Sequence, residues 1–498
     1  MDVFIGIDIG TTATKAVLFD QNDKPLAKTV KSYGISRDLT GKAEQNLMEI
    51  LNAVVDCVAE LSNLRLDSRL QSFSESGQSG EAKMTAKNQL RAISFSAQMH
   101  SLIALDENFK PLTNSITWAD TRSAKVAENL SREFYERSGT PIHAMSPLSK
   151  IMWLKAEKPE IYVKTAHFMD LKGWIFHKFF GVNQMDLSIA SGTGNFDQRE
   201  QNWLIEAEKM PKVVSPYQIQ SNLKNEFAKK MKIPSSTKFV WGAADGPLAN
   251  LGSGAVKSEI AALTIGTSGA IRLTSDKFQT DEKMRTFTYA LDEKNFVLGG
   301  AVNSGGNVLE WLGNLFDENL SDLAEKAAQI SAGSDGLIFH PYLSGERAPL
   351  WNSAARASFF GLNHEHTKAH MVRAVMEGII FNLKMVAKAL PELTEIRASG
   401  GFTKSELWLQ ILADIFDKPV RISQIEEAGC FGAVLMAKKA LKIPINVVKS
   451  DGKIFLPDEK NREVYHDLYE IFEALAVKFD QEYQQIADFQ KKYGQSNS

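Results

Sequence analysis

The sequence predicts an α/β protein built from two large domains. Apolar runs with strand character alternate with segments of helical periodicity in both halves, which is typical of packed layers of sheet and helix. At 498 residues the chain exceeds what one hydrophobic core usually supports, so we expect domains at 1–245 and 246–498. A short phrase, Ile-Gly-Thr followed by Thr or Ser, occurs once in each, at 9–12 and 265–268.

Each copy of this phrase lies between two apolar runs and predicts the tip of a β-hairpin. The first tip holds Thr11 and Thr12, with Lys15 on the returning strand, and the second holds Gly266 and Thr267. Glycine lets the backbone approach a ligand closely, and amide and hydroxyl groups donate hydrogen bonds to oxyanions. A hairpin with a merely polar tip explains one copy, but the recurrence favours two tips that hold a polyphosphate. The Walker sequence does not occur.

The composition predicts a cytoplasmic protein without nucleic-acid or membrane partners. The net charge of −3 gives no electrostatic footprint for nucleic acid. Cys57 and Cys430 form neither a disulfide framework nor a metal-binding spacing, and they suit a reducing compartment. Apolar runs stay short of the roughly 20 residues that span a bilayer. The N-terminus reads as a strand, without a basic and apolar leader.

The first half alternates strands with helices. Two strands at 3–19 precede a helix at 44–64, which is predicted from apolar residues at helical spacing. Residues 65–90 are rich in Ser, Gln, Lys and Glu and are expected to form a solvated surface excursion. A strand at 91–95 and a strand-and-turn unit follow, and residues 123–180 are predicted to be mostly helical.

The second half repeats this plan. A hairpin at 261–273 is followed by a glycine-rich helix entry at 303–307 and by a helix at 368–390 with one buried face. A strand then turns into a helix at 405–416. The tail at 458–493 is predicted to form one or two amphipathic helices.

Two aspartates are candidates for the chemistry. Asp8 lies on an apolar strand beside the first tip, where an unpaired carboxylate is costly and a hydrated Mg²⁺ would suit it. Asp245 lies among small residues at the predicted domain junction, where a cleft would form. A carboxylate there can accept a proton from a substrate hydroxyl during phosphoryl transfer. Because Gly and Pro follow Asp245, an Asx-type turn explains it equally well.

A polar cluster in the first half predicts a polyol pocket. Its members end two predicted strands: Gln98, Met99, His100, Trp118, Asp120 and Arg122. Trp118, Asp120 and Arg122 occupy alternate positions and are expected on one strand face. A surface salt bridge with an aromatic cover is the alternative. His143 and Lys150 could add positive charge near the pocket, although a plain helix N-terminus explains their segment as well.

Two glycine-rich turns in the second half are candidates for the nucleotide. Gly400 and Gly401 lie at a strand-to-helix turn, with Ser405 shortly after. We expect this turn to hold the adenosine. Gly306 opens a helix whose N-terminus favours anions, with Glu310 one turn later, and is a second candidate.

Together these pieces resemble the FGGY family of carbohydrate kinases, within the actin-like ATPase superfamily, over nearly the whole chain. Residues 8–12 and 266–269 are similar to its two phosphate motifs, and residues 399–401 to its adenosine motif. Its C-terminal signature resembles the segments at 358–362 and 370–378.

Within the family the gluconokinase branch is the closest resemblance. Four segments carry it, at 96–101, 116–123, 139–143 and 339–351. Met-His and Trp-x-Asp-x-Arg also resemble xylulokinases, whereas Thr-Pro-Ile-His at 140–143 favours gluconate.

The resemblance implies two actin-like, ribonuclease H-like domains that flank a cleft, and ATP-dependent phosphorylation of D-gluconate to 6-phospho-D-gluconate. Asp245 would be the general base, Met99 and His100 would contact the sugar, and Asp8 would organise Mg²⁺. Nucleotide contacts are implied at Thr11, Thr12, Gly266, Thr267, Gly306, Glu310, Gly401 and Ser405.

Several questions stay open at this point. The substrate carboxylate needs a cationic or N–H-rich seat, and the candidates are His100, Arg122, His143 and Lys150. A kinase of the same family that acts on a neutral sugar such as xylulose is one alternative. A non-catalytic actin-like ATPase is another. A homodimer is compatible with the sequence.

Overall fold

The structure is a computed structural model that describes residues 1–66, 88–445 and 452–493. The expected surface excursion at 65–90 falls mostly outside these ranges; residues 65–66 end a helix and residues 89–90 begin a strand. Both halves of the chain contribute a large mixed sheet with helices on its faces. Within the described ranges, no helix combines the length and the apolar character needed to cross a membrane.

Within the described residues, the first sheet contains six strands: β1 (Asp2–Ile9), β2 (Ala13–Asp20), β3 (Pro25–Ser32), β4 (Gln89–Ala97), β5 (Ile219–Gln220) and β6 (Phe239–Ala244). Their spatial order is β5-β6-β4-β1-β2-β3. Strands β1, β2 and β3 are antiparallel neighbours, while β4 pairs in parallel with β1 and β6 in parallel with β4. The carboxyl ends of β1, β4 and β6 therefore meet at one edge, which is where α/β sheets bind ligands.

The second sheet has seven strands in the part of the chain that the structure describes: β7 (Ile260–Ile265), β8 (Gly269–Ser275), β9 (Phe287–Ala290), β10 (Phe296–Val302), β11 (Glu395–Ser399), β12 (Val420–Ile422) and β13 (Ile454–Phe455). Their spatial order is β9-β10-β8-β7-β11-β12-β13. The run β10-β8-β7 is antiparallel, and β11 and β12 continue it in parallel. This repeats the run β3-β2-β1-β4-β6 of the first sheet, so the duplication extends beyond the two turns.

Shorter strands form small ribbons around these sheets. They pair as Ala43–Gln45 with both Ser36–Arg37 and Ser115–Ile116, Ile103–Leu105 with His167–Met169, Gln184–Asp186 with Lys212–Val214, Phe196–Asp197 with Asn202–Trp203, and Ile338–His340 with Ser358–Phe360.

The α-helices of the described residues are numbered in chain order: α1 (Leu47–Leu66), α2 (Ala124–Ala127), α3 (Glu133–Ser138), α4 (Pro147–Glu157), α5 (Pro159–Lys164), α6 (Leu171–Phe180), α7 (Leu187–Ser191), α8 (Asn225–Met231), α9 (Asp245–Gly252), α10 (Gly306–Phe316), α11 (Leu320–Ala327), α12 (Lys368–Ala387), α13 (Glu406–Phe416), α14 (Ala428–Ala440), α15 (Glu459–Lys478) and α16 (Asp480–Tyr493). The helices predicted at 368–390, 405–416 and 458–493 are confirmed with small shifts of their ends. The helix predicted at 44–64 begins three residues later, because residues 43–45 form a strand.

Helix α14 belongs to the second half of the chain but packs on the first sheet. Its Phe431 and Val434 lie in one buried cluster with Phe4 and Phe19 of β1 and β2. The opposite face of the first sheet is covered by α1, α6 and α8. Helix α9 packs against α14 so closely that a Cβ at Gly252 would lie 2.0 Å from the Ala428 carbonyl oxygen. The two halves are therefore joined by α14, which packs on the first sheet and also lies closely against α9.

One prediction about local structure is wrong. The strand before Trp118 ends at Ile116, and Trp118, Asp120 and Arg122 lie in the turns that follow it. Asp120 accepts hydrogen bonds from the Ala43 amide and from Arg122, and these bonds hold the turn in place of a strand ladder. The three side chains consequently do not share a strand face.

Candidate active site

A cavity of about 250 Å³ lies between elements of the two halves. The first half contributes the first hairpin tip, the turns after β4 and Ile116 and its last residue, Asp245. The second half contributes Gly246, the second hairpin and one face of its sheet. Its lining comprises Thr11, Met99, His100, Trp118, Met145, Asp245, Gly246, Thr264, Ser268, Gly269, Ala270, Arg272, Phe287, Tyr289, Ala301, Arg347 and Trp351. The cavity is a candidate active site because it brings two repeated tips and one carboxylate together.

The first hairpin forms as predicted between β1 and β2. At its tip the Gly10 amide donates to the Ala13 carbonyl oxygen at 3.0 Å. Thr11 is held from two sides, since the Trp118 indole donates to its hydroxyl at 2.9 Å and the Gln45 amide donates to its carbonyl oxygen at 2.6 Å. The tip is thus tied to the turn that carries Trp118.

The second hairpin forms as predicted between β7 and β8. The Gly266 amide closes its tip on the Ser268 carbonyl oxygen at 2.9 Å, and the Gly306 amide at the start of α10 donates to the Gly266 carbonyl oxygen at 2.7 Å. A Cβ at Gly305 would lie 2.8 Å from the Thr267 carbonyl oxygen, so the helix entry needs glycine to approach the tip. The structure therefore brings the predicted helix entry to the second tip.

Asp245 begins α9 directly after β6. Its Oδ1 accepts a hydrogen bond from the Gly246 amide at 2.7 Å. The pKa of Asp245 is raised to about 6, chiefly by burial and also by the negative charge of Asp8, while the guanidinium of Arg272 opposes both effects. A carboxylate with a raised pKa is a stronger proton acceptor that is still mostly ionised at neutral pH.

The backbone that leads into Asp245 rests on a buried ion pair. The Lys172 ammonium lies 2.8 Å from Asp186 Oδ2, and both side chains are fully buried. Lys172 also donates to the Ala243 carbonyl oxygen at 3.1 Å, while the Ala244 amide donates to the Ser188 hydroxyl at 3.2 Å. A carbonyl oxygen and an amide at the end of β6 are thus both hydrogen-bonded to side chains, and these bonds fix the backbone position of Asp245.

Asp8 lies at the end of β1, where Ser96 donates to its Oδ1 at 2.5 Å. Burial raises the pKa of its carboxyl group. Its Oδ2 accepts no hydrogen bond from the described residues and is available to a cation. The described residues hold no group of three or more His, Cys, Asp or Glu side chains that could enclose a metal ion. This donor set fits a hydrated Mg²⁺, which keeps several of its waters in protein sites.

Lys15 lies beside this carboxylate on β2. Its ammonium is 3.2 Å from Glu427 Oε2, at the residue before α14. Lys28 contacts the other oxygen of the same carboxylate. The structure therefore joins Lys15 to the second half of the chain and does not place it in the cavity lining.

The glycine turn predicted to hold adenosine lies against the strand that leads into the second tip. Gly400 has a φ of +101°, and a Cβ there would lie 2.3 Å from the Ile265 carbonyl oxygen. Gly401 follows in a short 3-10 helix, and the Ser405 hydroxyl caps α13 by accepting from the Trp408 amide at 3.3 Å. Glu310 is exposed on α10. The two nucleotide candidates thus flank one tip from either side.

Met99, His100 and Trp118 of the predicted polyol cluster line the cavity. His100 Nδ1 donates to the Gly192 carbonyl oxygen at 2.8 Å, and the Tyr289 hydroxyl lies 3.3 Å from Nε2. Burial, followed by the positive charge of Lys150, lowers the pKa of His100 to about 3. His100 is therefore a neutral side chain at the cavity wall.

Gln98, Asp120, Arg122, His143 and Lys150 lie outside the cavity lining. The Gln98 amide donates to the Gln45 side chain at 2.7 Å, and Arg122 is held by ion pairs with Asp120 and Glu44. The buried Lys150 ammonium donates to three backbone carbonyl oxygens, and burial lowers its pKa to about 7.

His143 lies beside Trp351, with ring centroids 5.5 Å apart. Burial and the positive charge of Arg347 lower its pKa to about 4, so it is neutral at neutral pH. Four predicted seats for a carboxylate are thus neutral or already bound to other groups: His100, Arg122, His143 and Lys150.

Three cavity residues of the second half, Arg272, Tyr289 and Arg347, were not predicted as site residues from the sequence. Arg347 lies within a segment that supported the resemblance, and its guanidinium covers the Trp118 ring at 4.9 Å. Arg272 and Tyr289 lie on β8 and β9. A charged residue on an otherwise apolar strand, two positions after Ala270, was the available signal for Arg272.

Comparison with known proteins gives the same family over the length of the chain. The models of the N-terminal and C-terminal domains of the FGGY family of carbohydrate kinases match residues 3–252 and 261–441. A gluconokinase of Bacillus subtilis (strain 168) is 42% identical to this chain, over 98% of each.

Two solved structures from Lactobacillus acidophilus are also similar. A gluconate kinase is 34% identical with a TM-score of 0.90, covering 97% of this chain and 99% of its own. A ligand-bound xylulose kinase has the same identity and TM-score and covers 98% of this chain and 100% of its own.

Proposed function

Because this chain belongs to the FGGY family of carbohydrate kinases, we propose that it transfers the terminal phosphoryl group of ATP to D-gluconate, giving 6-phospho-D-gluconate and ADP. The observation that carries the reaction type is the position of Asp245. It begins α9 in the cavity that also receives Thr11 of the first tip and Ser268 of the second. A proton acceptor between two phosphate-holding tips has the arrangement that transfer to a hydroxyl needs.

Asp245 accepts the proton of the terminal hydroxyl as that oxygen attacks phosphorus. The bond from phosphorus to the bridging oxygen of ADP breaks, and the proton remains on the Asp245 carboxyl group. The Gly246 amide holds Oδ1 at 2.7 Å, which fixes the acceptor, and burial keeps its pKa near 6. General-base assistance of this kind contributes about 10²–10⁴-fold.

The two tips neutralise the charge of the polyphosphate with backbone amides and hydroxyls. We assign Thr11, Thr12, Gly266 and Thr267 to phosphate contacts, as the sequence predicts. The adenosine side is assigned to Gly400, Gly401, Ser405, Gly306 and Glu310, which flank the second tip. Asp8 would hold a hydrated Mg²⁺, which when bound offsets negative charge on the phosphates.

The substrate is proposed from the relatives and from the character of the cavity. A gluconokinase is 42% identical over 98% of the chain, and the cavity carries two arginines, Arg272 and Arg347, for one carboxylate, Asp245. A surplus of positive charge suits a sugar acid. A neutral sugar is the second candidate, because the ligand-bound xylulose kinase is as similar as the gluconate kinase structure.

A coupled assay of ADP release tests this proposal. The wild-type chain is supplied with ATP and Mg²⁺ and with gluconate, xylulose, ribulose or glycerol in separate reactions. We expect gluconate to give the highest kcat/KM. A higher value for xylulose would assign a neutral sugar as the substrate. ATP hydrolysis that is independent of any sugar would support the alternative of an actin-like ATPase that phosphorylates no sugar.

We also propose a cytoplasmic location and the division of the chain at 245/246, with sugar and first-tip residues before it and adenosine residues after it.

A homodimer is the proposed assembly. Light scattering after gel filtration measures it directly: a mass near 110 kDa, twice the 55.2 kDa of one chain, supports the dimer, and a mass of one chain rejects it.

A further inference from the structure

Arg272 is a cavity arginine without a partner. Its Nε is buried and has no hydrogen-bond acceptor among the described residues, and no described residue forms an ion pair with its guanidinium. Arg272 lines the cavity together with Asp245, and its side chain is partly buried. A guanidinium that loses part of its hydration is stabilised when an anion or acceptor pairs with it. The arrangement therefore points to an anionic group of a bound ligand.

The fold holds this guanidinium in one place. Arg272 pairs across the sheet with Gly299 of β10, where a Cβ would lie 3.2 Å from Arg272 Cγ. On the other side, a Cβ at Gly246 would lie 3.2 Å from Arg272 Nε. Two glycines thus leave the space that the side chain fills. Such packing fixes the donors before a ligand arrives, which lowers the entropic cost of binding.

The other cations in and around the cavity already have partners. Arg347 donates to Asn303 Oδ1 at 2.8 Å and to the Val302 carbonyl oxygen at 3.1 Å. Arg122 is paired with two carboxylates, and Lys150 donates to three carbonyl oxygens. Of the two arginines that line the cavity, Arg272 is the one whose donors have no acceptor among the described residues.

The position of Arg272 favours the sugar over the polyphosphate. It lies four residues beyond Ser268 on a strand, which at about 3.3 Å per residue places its Cα roughly 13 Å from the second tip. Its charge interacts with Asp245 and Tyr289, whereas Asp8 acts on Asp245 from the side of the first hairpin. Arg272 therefore lies close to the start of α9, next to Asp245, and several residues along β8 from the second tip.

We propose that Arg272 binds the carboxylate of the sugar acid and selects it over a neutral polyol of the same length. This inference rests on the proposed function, because it names the residue that binds the negatively charged group of the proposed substrate, D-gluconate. Guanidinium and carboxylate form paired, charge-assisted hydrogen bonds, which are stronger than bonds to a neutral hydroxyl.

The test compares the binding of D-gluconate with that of D-glucitol, its neutral alcohol, by calorimetry. Binding is measured for the wild type, Arg272→Gln, Arg272→Lys and Arg462→Gln. Arg462→Gln is the control because Arg462 is an exposed arginine of α15 that forms an ion pair with Asp417. We expect the wild type and Arg462→Gln to prefer gluconate by roughly 10- to 100-fold. Arg272→Gln should lose this preference and keep its affinity for ATP.

Arg272→Lys keeps the positive charge but lacks the planar guanidinium with its paired donors, so it should retain part of the preference for gluconate. This variant also tests the inference if Arg272→Gln does not fold. An unchanged ratio of gluconate to glucitol affinity in both variants overturns the inference. A loss of kcat with unchanged gluconate affinity also overturns it and assigns Arg272 to the transferred phosphoryl group.

The ADP assay separates this inference from the proposed function. If gluconate binding depends on Arg272 but gluconate releases no ADP, the proposed function fails and the inference stands. If gluconate is phosphorylated and Arg272→Gln binds it normally, the proposed function stands and the inference about Arg272 fails. A wild type that does not bind gluconate overturns both.

Discussion

The ammonium of Lys172 lies 2.8 Å from the carboxylate of Asp186, with both side chains excluded from solvent. The same ammonium donates to the Ala243 carbonyl oxygen, two residues before Asp245. An ion pair buried below the cavity thus supports the backbone that presents the proposed base.

Removing one partner of this pair should destabilise the protein. Lys172→Met leaves Asp186 buried without a counter-charge, which costs about 3–5 kcal/mol. Urea unfolding measures the loss, with Lys326→Met as the control because Lys326 is exposed on α11 and an exposed ion pair contributes little to stability. Lys172→Met with Asp186→Leu should recover part of the loss. Equal effects of Lys172→Met and Lys326→Met would contradict the role given to the pair.

Asp245→Asn should lower kcat by about 10²–10⁴-fold, because the amide cannot accept the proton of the substrate hydroxyl. Affinity for ATP should change little, since the tips to which we assign the phosphates lie on other elements. Steady-state kinetics with a nucleotide-binding measurement checks both parts. Turnover near the wild-type value would remove Asp245 from the role of base.

The pH profile should show a limb set by Asp245. Its pKa is raised from 3.8 to about 6, chiefly by burial, and the ionised form is the proton acceptor. Plotted against pH, kcat/KM should therefore be level above about 7 and fall tenfold per unit below about 6. A limb near pH 4 would mean that the carboxyl group keeps its ordinary pKa.

Gly400→Ala should weaken ATP binding. The added Cβ meets the Ile265 carbonyl oxygen at 2.3 Å, and the positive φ of +101° disfavours any residue with a side chain. Either the turn or the strand leading to the second tip must shift, so KM for ATP should rise while affinity for gluconate stays close to normal. Gly181→Ala is the matched control, since Gly181 also has a positive φ but no neighbour within 4 Å of its Cβ position. Equal effects of the two changes on KM for ATP would contradict this account.

The residues of the proposed nucleotide side could be picked out from the sequence because their signals are local. Glycine, threonine and serine within a few positions define both tips, and Gly306 and Gly400 mark turns that the structure places beside the second tip. The predicted two-domain actin-like, ribonuclease H-like architecture is confirmed by the comparisons with solved structures and by the repeated strand order.

The proposed sugar side was harder to predict because the residues that line it come from elements far apart in the sequence. Arg272 reaches the cavity through the register of β8 on β10, which a single strand pattern does not reveal. Lys150 shows the opposite difficulty: a lysine at a helix start reads as a free cation, yet backbone carbonyl oxygens surround its ammonium. Only tertiary packing distinguishes these two cations.

The seating of α14 on the first sheet has a consequence for dissecting the molecule. A fragment that ends at residue 245 would carry Phe4, Phe19 and Val240 on a sheet face stripped of its cover. Such a surface invites aggregation. A chimaera that takes its first half from a relative would therefore also need that relative's helix at 428–440. The smallest unit that can be exchanged is discontinuous along the gene.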